Sequence, residues 1–205
     1  MTDCQLYLIS PLDVSGPFAD RLARALDAAP VAAFQFRVKD IDEHEAARLA
    51  EPLQAICGAR EVAFIVNDSI SLAKRLGADG VHLGQGDGVV ADARLRLGRE
   101  AQIGVTCHAS RDLAMEAGEA GADYVAFGAF FPSTTKQTEH RPDLETLRWW
   151  QHIMELPCVA IGGITPENCA PLIEAGADFL AVSNAVWGAD EVAAVKAFAK
   201  AIGQA

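Results

Sequence analysis

The sequence has no surplus of basic residues, no paired cysteine motif and no hydrophobic run long enough to cross a membrane. Its 28 acidic and 17 basic residues give a net charge of −11 over 205 residues. Such a charge repels nucleic acid and anionic lipid surfaces. We therefore expect neither nucleic acid nor a membrane as a partner, and an anionic ligand would need a locally basic pocket.

The five cysteines, Cys4, Cys57, Cys107, Cys158 and Cys169, are irregularly spaced. They form no C-x-x-C pair and no metal-finger spacing, so they are interpreted as reduced thiols. The first ten residues, MTDCQLYLIS, do not show the basic stretch and long apolar run of a secretory signal. Together these features predict a cytoplasmic protein.

Short apolar runs alternate with longer amphipathic segments along the chain. The hydrophobic fraction of 51% is enough to fill a sizeable core. Predicted strands lie at residues 5–9, 31–37, 62–66, 80–83, 102–105, 124–127, 158–161 and 179–182. Predicted helices include residues 18–28, 43–57, 111–120, 144–154 and 191–202. We expect a single-domain α/β fold over residues 1–205, a (β/α)8 TIM barrel, with an open doubly wound sheet as the alternative.

The tripeptide Gly-Ala-Asp occurs three times, each time between a helical segment and an even-numbered strand. The repeats end in Asp79, Asp123 and Asp178. In a barrel these aspartates lie at the amino ends of strands, where side chains usually serve stability. We therefore assign them a structural role.

Carboxylates follow two consecutive strands at the opposite end. Asn67-Asp68 follows the third strand and Asp87 follows the fourth. Neighbouring parallel strands lie about 5 Å apart, so both carboxylates can reach one ion. Mg²⁺ typically takes one or two protein carboxylates and completes its shell with water and phosphate oxygens. The sequence predicts a magnesium site at Asp68 and Asp87, although both segments also suit ordinary turns.

Three cations lie near the same strand ends. Arg37 and Lys39 alternate at the end of the second predicted strand, so both are expected to face the barrel interior near its mouth. Lys136 lies in a Ser-Thr-Thr-Lys segment after the sixth strand. Such cations suit a di- or triphosphate. An ion pair with Asp40 or a solvated strand end is the alternative for Arg37 and Lys39.

A second phosphate site is predicted where the last two strands end. Gly162-Gly163 follows the seventh strand, and a short helix is expected from Asn184 after the eighth. Barrels frequently bind a monophosphate with these two loops. No convincing nucleophile or general base accompanies the sites, and His82 is interpreted as a hydrogen-bonded interior residue. This combination indicates chemistry in which a diphosphate leaves.

Six motifs cover nearly the whole chain: FQFRVKD, IVNDS, DGVHLGQGD, IGVTCHAS, YVAFGAFFPSTTK and AIGGITPEN. In order and spacing they resemble the thiamine monophosphate synthase superfamily, and within it the thiamine phosphate synthases. The resemblance implies that a hydroxymethylpyrimidine diphosphate is joined to a thiazole phosphate. Diphosphate would leave first, and the thiazole nitrogen would then capture the carbocation that the aminopyrimidine stabilises.

The resemblance also implies roles for individual residues. Asp68 and Asp87 would hold Mg²⁺, and Gln35 would contact the pyrimidine with Thr106 nearby. The diphosphate would be contacted by Arg37, Lys39, Asn67 and Lys136, and the thiazole phosphate by Ser133, Thr135, Gly163, Ser183 and Asn184. The catalytic set would be Arg37, Lys39, Thr106 and Lys136.

The chain departs from the family at Asn184, which stands where the family has alanine and is expected to alter the phosphate cup modestly. Two other functions stay open. A thiazole tautomerase of the same superfamily would not need the diphosphate and magnesium residues, and a non-catalytic regulator would bind thiazole phosphate or thiamine phosphate without turnover. The sequence leaves the oligomeric state open, a homo-oligomer included.

Overall fold

Eight parallel strands close into a barrel in the computed structural model, which describes residues 4–132 and 140–203. Within those residues the strands are β1 (Gln5–Ile9), β2 (Ala33–Phe36), β3 (Ala63–Asn67), β4 (Gly80–Leu83), β5 (Gln102–His108), β6 (Tyr124–Gly128), β7 (Cys158–Ile161) and β8 (Phe179–Val182). Each strand pairs with the next, and β8 pairs with β1. This closure confirms the TIM barrel and rules out the open sheet, in which β1 and β8 would not meet.

Helices cover the outside of the barrel. In the described residues they are α1 (Phe18–Ala28), α2 (Glu43–Gly58), α3 (Ile70–Leu76), α4 (Val90–Leu97), α5 (Arg111–Glu119), α6 (Leu144–Ile153), α7 (Ala170–Glu174), α8 (Asn184–Trp187) and α9 (Glu191–Ile202). The five helices predicted by range agree with these bounds to within one residue. Over residues 4–132 and 140–203, every helix is too short or too polar to cross a membrane.

The second strand is shorter than predicted. It ends at Phe36, so Arg37 and Lys39 lie in the segment after it. The prediction that these two residues alternate along the strand is therefore wrong. The Ser10 hydroxyl explains the early end. It accepts a hydrogen bond from the Arg37 N–H (2.8 Å) and donates one to the Arg37 carbonyl (3.0 Å), so both backbone groups are taken.

Two apolar clusters form the core. The larger one lies between the barrel and the helices. The smaller one fills the barrel interior with Tyr7, Ile9, Ala33, Ile65, Tyr124, Ala126, Val159 and Ala181. Gly104 is needed for this interior, because a Cβ there would lie 2.0 Å from Cζ of Tyr124. The interior also encloses the polar side chains of Gln35 and His82.

The Gly-Ala-Asp repeats join neighbouring strands at the amino face of the barrel. Each aspartate accepts a hydrogen bond from a backbone N–H near the start of the preceding strand: Asp79 from Phe64 (2.7 Å), Asp123 from Ile103 (2.7 Å) and Asp178 from Cys158 (2.8 Å). The backbone N–H of each aspartate donates in turn to the backbone carbonyl of its partner in the strand, Phe64, Ile103 or Cys158. The predicted structural role is therefore confirmed.

We expect Asp178→Ala to lower the free energy of unfolding by about 1–3 kcal/mol, because the N–H of Cys158 loses its acceptor in a buried position. Asp178→Asn keeps an acceptor oxygen and should cost less. Urea unfolding followed by circular dichroism measures both changes. Equal stability of the alanine variant and the unsubstituted protein would contradict the bracing role.

Candidate active site

The polar residues predicted from the sequence lie at the carboxyl ends of the strands. Asn67 ends β3 and Asp68 follows it, Asp87 lies in the turn after β4, and Ser183 follows β8. Thr106 lies within β5, which runs three residues beyond its predicted end and changes register between Thr106 and His108. Ser133, Thr135 and Lys136 fall outside the described residues.

The carboxyl groups of Asp68 and Asp87 are neighbours that interact by charge, and by a hydrogen bond when one of them is protonated. Asp68 has a left-handed backbone (φ 65°), and its N–H donates to the His82 carbonyl at 2.8 Å. Asp87 Oδ2 accepts from the Gly84 N–H at 3.0 Å. A Cβ on Gly84 would lie 2.3 Å from that oxygen, so a side chain at this position would displace the Asp87 carboxylate. Burial, and next the charge of Asp87, raise the pKa of Asp68 to about 6.

Two of the predicted cations accompany this carboxylate pair. The positive charges of Lys39 and Arg37 act on Asp68 in the opposite direction and lower its pKa. Arg37 is half-buried and Lys39 is exposed. The fold thus brings both charges to the carboxylates, although the residues leave strand β2 earlier than expected.

The carboxylate pair fits a hard divalent cation. A cation between Asp68 and Asp87 would offset the burial and the mutual repulsion that raise the pKa of Asp68. In residues 4–132 and 140–203 no group of three or more histidine, cysteine or acidic residues converges. A metal held here would therefore take the rest of its shell from water and substrate oxygens.

A chain of five hydrogen-bonded side chains crosses the barrel interior, and we call it the interior chain. Its links are Gln35 Nε2 to Tyr7 Oη (3.0 Å), Tyr7 Oη to Tyr124 Oη (3.0 Å), Tyr124 Oη to His82 Nδ1 (3.2 Å) and His82 Nε2 to Thr106 Oγ1 (2.8 Å). It confirms His82 as an interior hydrogen-bonded residue. The participation of Tyr7 and Tyr124 was not predicted, because their apolar strand context gives no sign of a polar role.

Ser10 was also missed, since only its place directly after β1 marks it. It is 1% exposed and holds the Arg37 backbone with its hydroxyl. Its carbonyl accepts from the Ser183 hydroxyl at 3.4 Å. Ser10 therefore links the segment that carries Arg37 to the end of β8.

The glycines after β7 serve close packing. Gly162 and Gly163 have positive φ values of 105° and 62°. A Cβ on Gly162 would lie 2.2 Å from Cβ of Ala129, and one on Gly163 would lie 2.3 Å from the carbonyl oxygen of Pro132. These contacts let the segment after β6 pass close to the end of β7. Asn184 is exposed at the start of α8.

A closed parallel barrel with charged groups at the carboxyl ends of its strands has the architecture of TIM-barrel enzymes. The family described as thiamine monophosphate synthase matches residues 6–186. The chain belongs to this family, whose synthases are transferases.

Individual relatives are similar over nearly their whole length. The chain is 73% identical to a thiamine-phosphate synthase of Erythrobacter litoralis, covering 98% of this chain and 96% of that protein. It is 56% identical to one of Rhodospirillum centenum, covering 91% of each. A solved thiamine phosphate pyrophosphorylase of Pyrococcus furiosus superposes with a TM-score of 0.87 at 28% identity, over 98% of this chain and 96% of that one.

We expect the pKa of Asp68 in protein stripped of divalent cations to be about 6 instead of 3.8. Because the native state then holds this proton more tightly than the unfolded chain, the contribution of Asp68 to stability falls as the pH rises through this interval. Asp87→Asn should lower the pKa of Asp68 while burial keeps it above 3.8. Carboxyl ¹³C NMR titration measures both values. A midpoint below 4 in the unsubstituted protein would contradict the prediction.

Proposed function

We propose that this protein catalyses the thiamine phosphate synthase reaction. It would join 4-amino-2-methyl-5-hydroxymethylpyrimidine diphosphate to thiazole phosphate and release thiamine phosphate and diphosphate. The observation that carries the proposal is the contact between Asp68 and Asp87 beside Arg37 and Lys39, in a chain 73% identical to a thiamine-phosphate synthase. We further infer that the protein works in the cytoplasm on these small molecules.

The diphosphate end of the first substrate is assigned to the carboxylate pair and its cations. Asp68 and Asp87 would hold Mg²⁺, which when bound neutralises charge on phosphate oxygens. Arg37 and Lys39 would contact the diphosphate, together with Asn67 at the end of β3 and, from the family motif, Lys136. Positive charges placed in advance stabilise the negative charge that develops on the departing group.

The pyrimidine is assigned to the residues at the two ends of the interior chain. Gln35 lies one residue before the end of β2 and Thr106 two residues before the end of β5, so both lie near the carboxyl rim of the barrel. Side chains fill the barrel below them. The substrate would therefore bind above this layer, with its diphosphate toward Arg37 and Lys39.

The thiazole phosphate is assigned to the ends of β7 and β8, a frequent phosphate site in TIM barrels. Gly163 and Ser183 lie at these ends, and Asn184 begins α8. Ser133 and Thr135 are added from the family motif. The link from Ser183 through Ser10 to Arg37 supports placing the two phosphate groups on neighbouring parts of the rim.

Neither alternative function has an observation that favours it. A thiazole tautomerase has no use for the Asp68 and Asp87 pair, and a regulator has no use for a site that stabilises a leaving group. The high identity to thiamine-phosphate synthases supports the synthase reaction instead.

Purified protein incubated with both substrates should form thiamine phosphate with Mg²⁺ and none with a chelator, as followed by mass spectrometry. Asp68→Asn should lower kcat/KM on the order of 10²-fold, the scale for losing one preorganised charged group. Glu119→Gln, an exposed carboxylate change at the end of α5, is the matched control. Absence of product with Mg²⁺ would refute the proposed function, and unchanged turnover of Asp68→Asn would refute the metal assignment.

We expect Ser10→Ala to raise the KM for the pyrimidine diphosphate about fivefold to tenfold, since Arg37 loses the hydroxyl that holds its backbone. Ser15→Ala, which removes an exposed hydroxyl bonded to Asp13, is the control. Steady-state kinetics with each substrate varied in turn makes the measurement. An unchanged KM in a folded Ser10→Ala variant would contradict the positioning role.

A further inference from the structure

The interior chain draws its five side chains from five different strands. Tyr7 comes from β1, Gln35 from β2, His82 from β4, Thr106 from β5 and Tyr124 from β6. All are buried except Thr106, which is half-buried at the rim. Buried hydroxyl, amide and imidazole groups must each be matched to a partner, so the position of every proton in the chain has consequences for the next link.

The direction of the chain is set at Tyr7. The Gln35 Nε2 amide nitrogen can only donate, so Tyr7 Oη accepts that hydrogen bond. Within the described residues the other contact of Tyr7 Oη is Tyr124 Oη, which must therefore accept the single Tyr7 hydroxyl proton. The Tyr124 proton is then left to donate to His82 Nδ1.

This order defines the tautomer of His82. Because Nδ1 accepts from Tyr124, the imidazole is neutral and its proton lies on Nε2. Burial favours the same neutral form, because a charged imidazole would lose its hydration in the barrel interior. The Nε2–H donates to Thr106 Oγ1, and the hydroxyl proton of Thr106 remains for a group above the barrel interior. At the other end, Gln35 Oε1 has no hydrogen-bond donor in the described part of the chain.

Aromatic packing holds this geometry. The rings of His82 and Tyr124 are stacked with centroids 5.6 Å apart, and the ring of Tyr7 meets that of Tyr124 edge-on at 6.1 Å. Gly104 leaves the space that the Tyr124 ring occupies. The opposite direction of donation would require the Gln35 amide to turn so that Oε1 faces Tyr7. In each later hydrogen bond the donor and the acceptor would then exchange roles.

We propose that the interior chain is polarised from Gln35 to Thr106 and thereby selects an aminopyrimidine over an oxopyrimidine. Tyr7, Tyr124 and His82 are positioning residues that leave Gln35 as an acceptor and Thr106 as a donor toward the ring. An aminopyrimidine edge offers the complement, an amino N–H beside an unprotonated ring nitrogen. An oxopyrimidine edge offers a carbonyl beside a ring N–H, and its carbonyl would face the acceptor Oε1 of Gln35. The selection of substrate rests on the proposed function, whereas the polarity of the chain does not.

The polarity is tested without any substrate by ¹⁵N NMR of the full chain labelled at histidine. His82 should be the Nε2–H tautomer at neutral pH, with exposed His152 as the reference for an averaged ring. Tyr124→Phe removes the donor to Nδ1 and keeps the aromatic ring, so the Nε2–H tautomer should lose its preference in that variant. An Nδ1–H tautomer in the unsubstituted protein would overturn the proposal.

The selectivity is tested with Tyr7→Phe, which frees the Gln35 amide. The KM for the pyrimidine diphosphate should rise about fivefold to tenfold, the effect of one lost hydrogen bond, while the KM for thiazole phosphate stays unchanged. Discrimination against a 4-oxopyrimidine diphosphate should fall by a similar factor. An equal rise in KM for the pyrimidine diphosphate and for thiazole phosphate would overturn the selective role. Unchanged discrimination against the 4-oxopyrimidine diphosphate would overturn it as well. If the unsubstituted protein forms no product, the proposed function fails, and the tautomer of His82 still decides the polarity.

Discussion

The pairing of β8 with β1 is the constraint on which the site depends. It joins the first strand to the last through the register of Leu6 with Leu180 and Leu8 with Val182. Because the closed strands are all parallel, their carboxyl ends meet on one rim. Ser10 and Ser183, which are 173 residues apart, come within hydrogen-bonding distance only through this closure. The same closure encloses an interior filled by side chains.

Enclosure makes the polar groups of the interior interdependent. A buried hydroxyl or imidazole without a partner costs free energy, so such groups are retained where a complete set of partners exists. Tyr7 and Tyr124 supply that set between Gln35 and His82. The interior chain therefore connects Gln35 and Thr106 through side chains that lie in the barrel interior. The side chains that fill the barrel interior thus also form a continuous set of hydrogen bonds.

The sequence predicted the barrel well because alternating apolar runs and helical segments report directly on burial. It failed where a specific tertiary contact decides the structure: Ser10 ends β2 by binding Arg37, and no local pattern announces this contact. The carboxylate pair was predictable, since strand order alone brings Asp68 to Asp87. The interior chain was not, because alternation tells which residues face inward but not which hydroxyl meets which ring nitrogen.

The two faces of the barrel give aspartate opposite surroundings for one physical reason. The amino ends of parallel strands present backbone N–H groups, and Asp178 is satisfied there by the N–H of Cys158. The carboxyl ends present carbonyl oxygens, which cannot donate to a carboxylate. Asp68 therefore faces Asp87 and depends on Arg37 and Lys39 to offset its charge. Donors at this rim come from the loops, as the Gly84 N–H does for Asp87, and from cations, so a phosphate group bound here would have to draw on both.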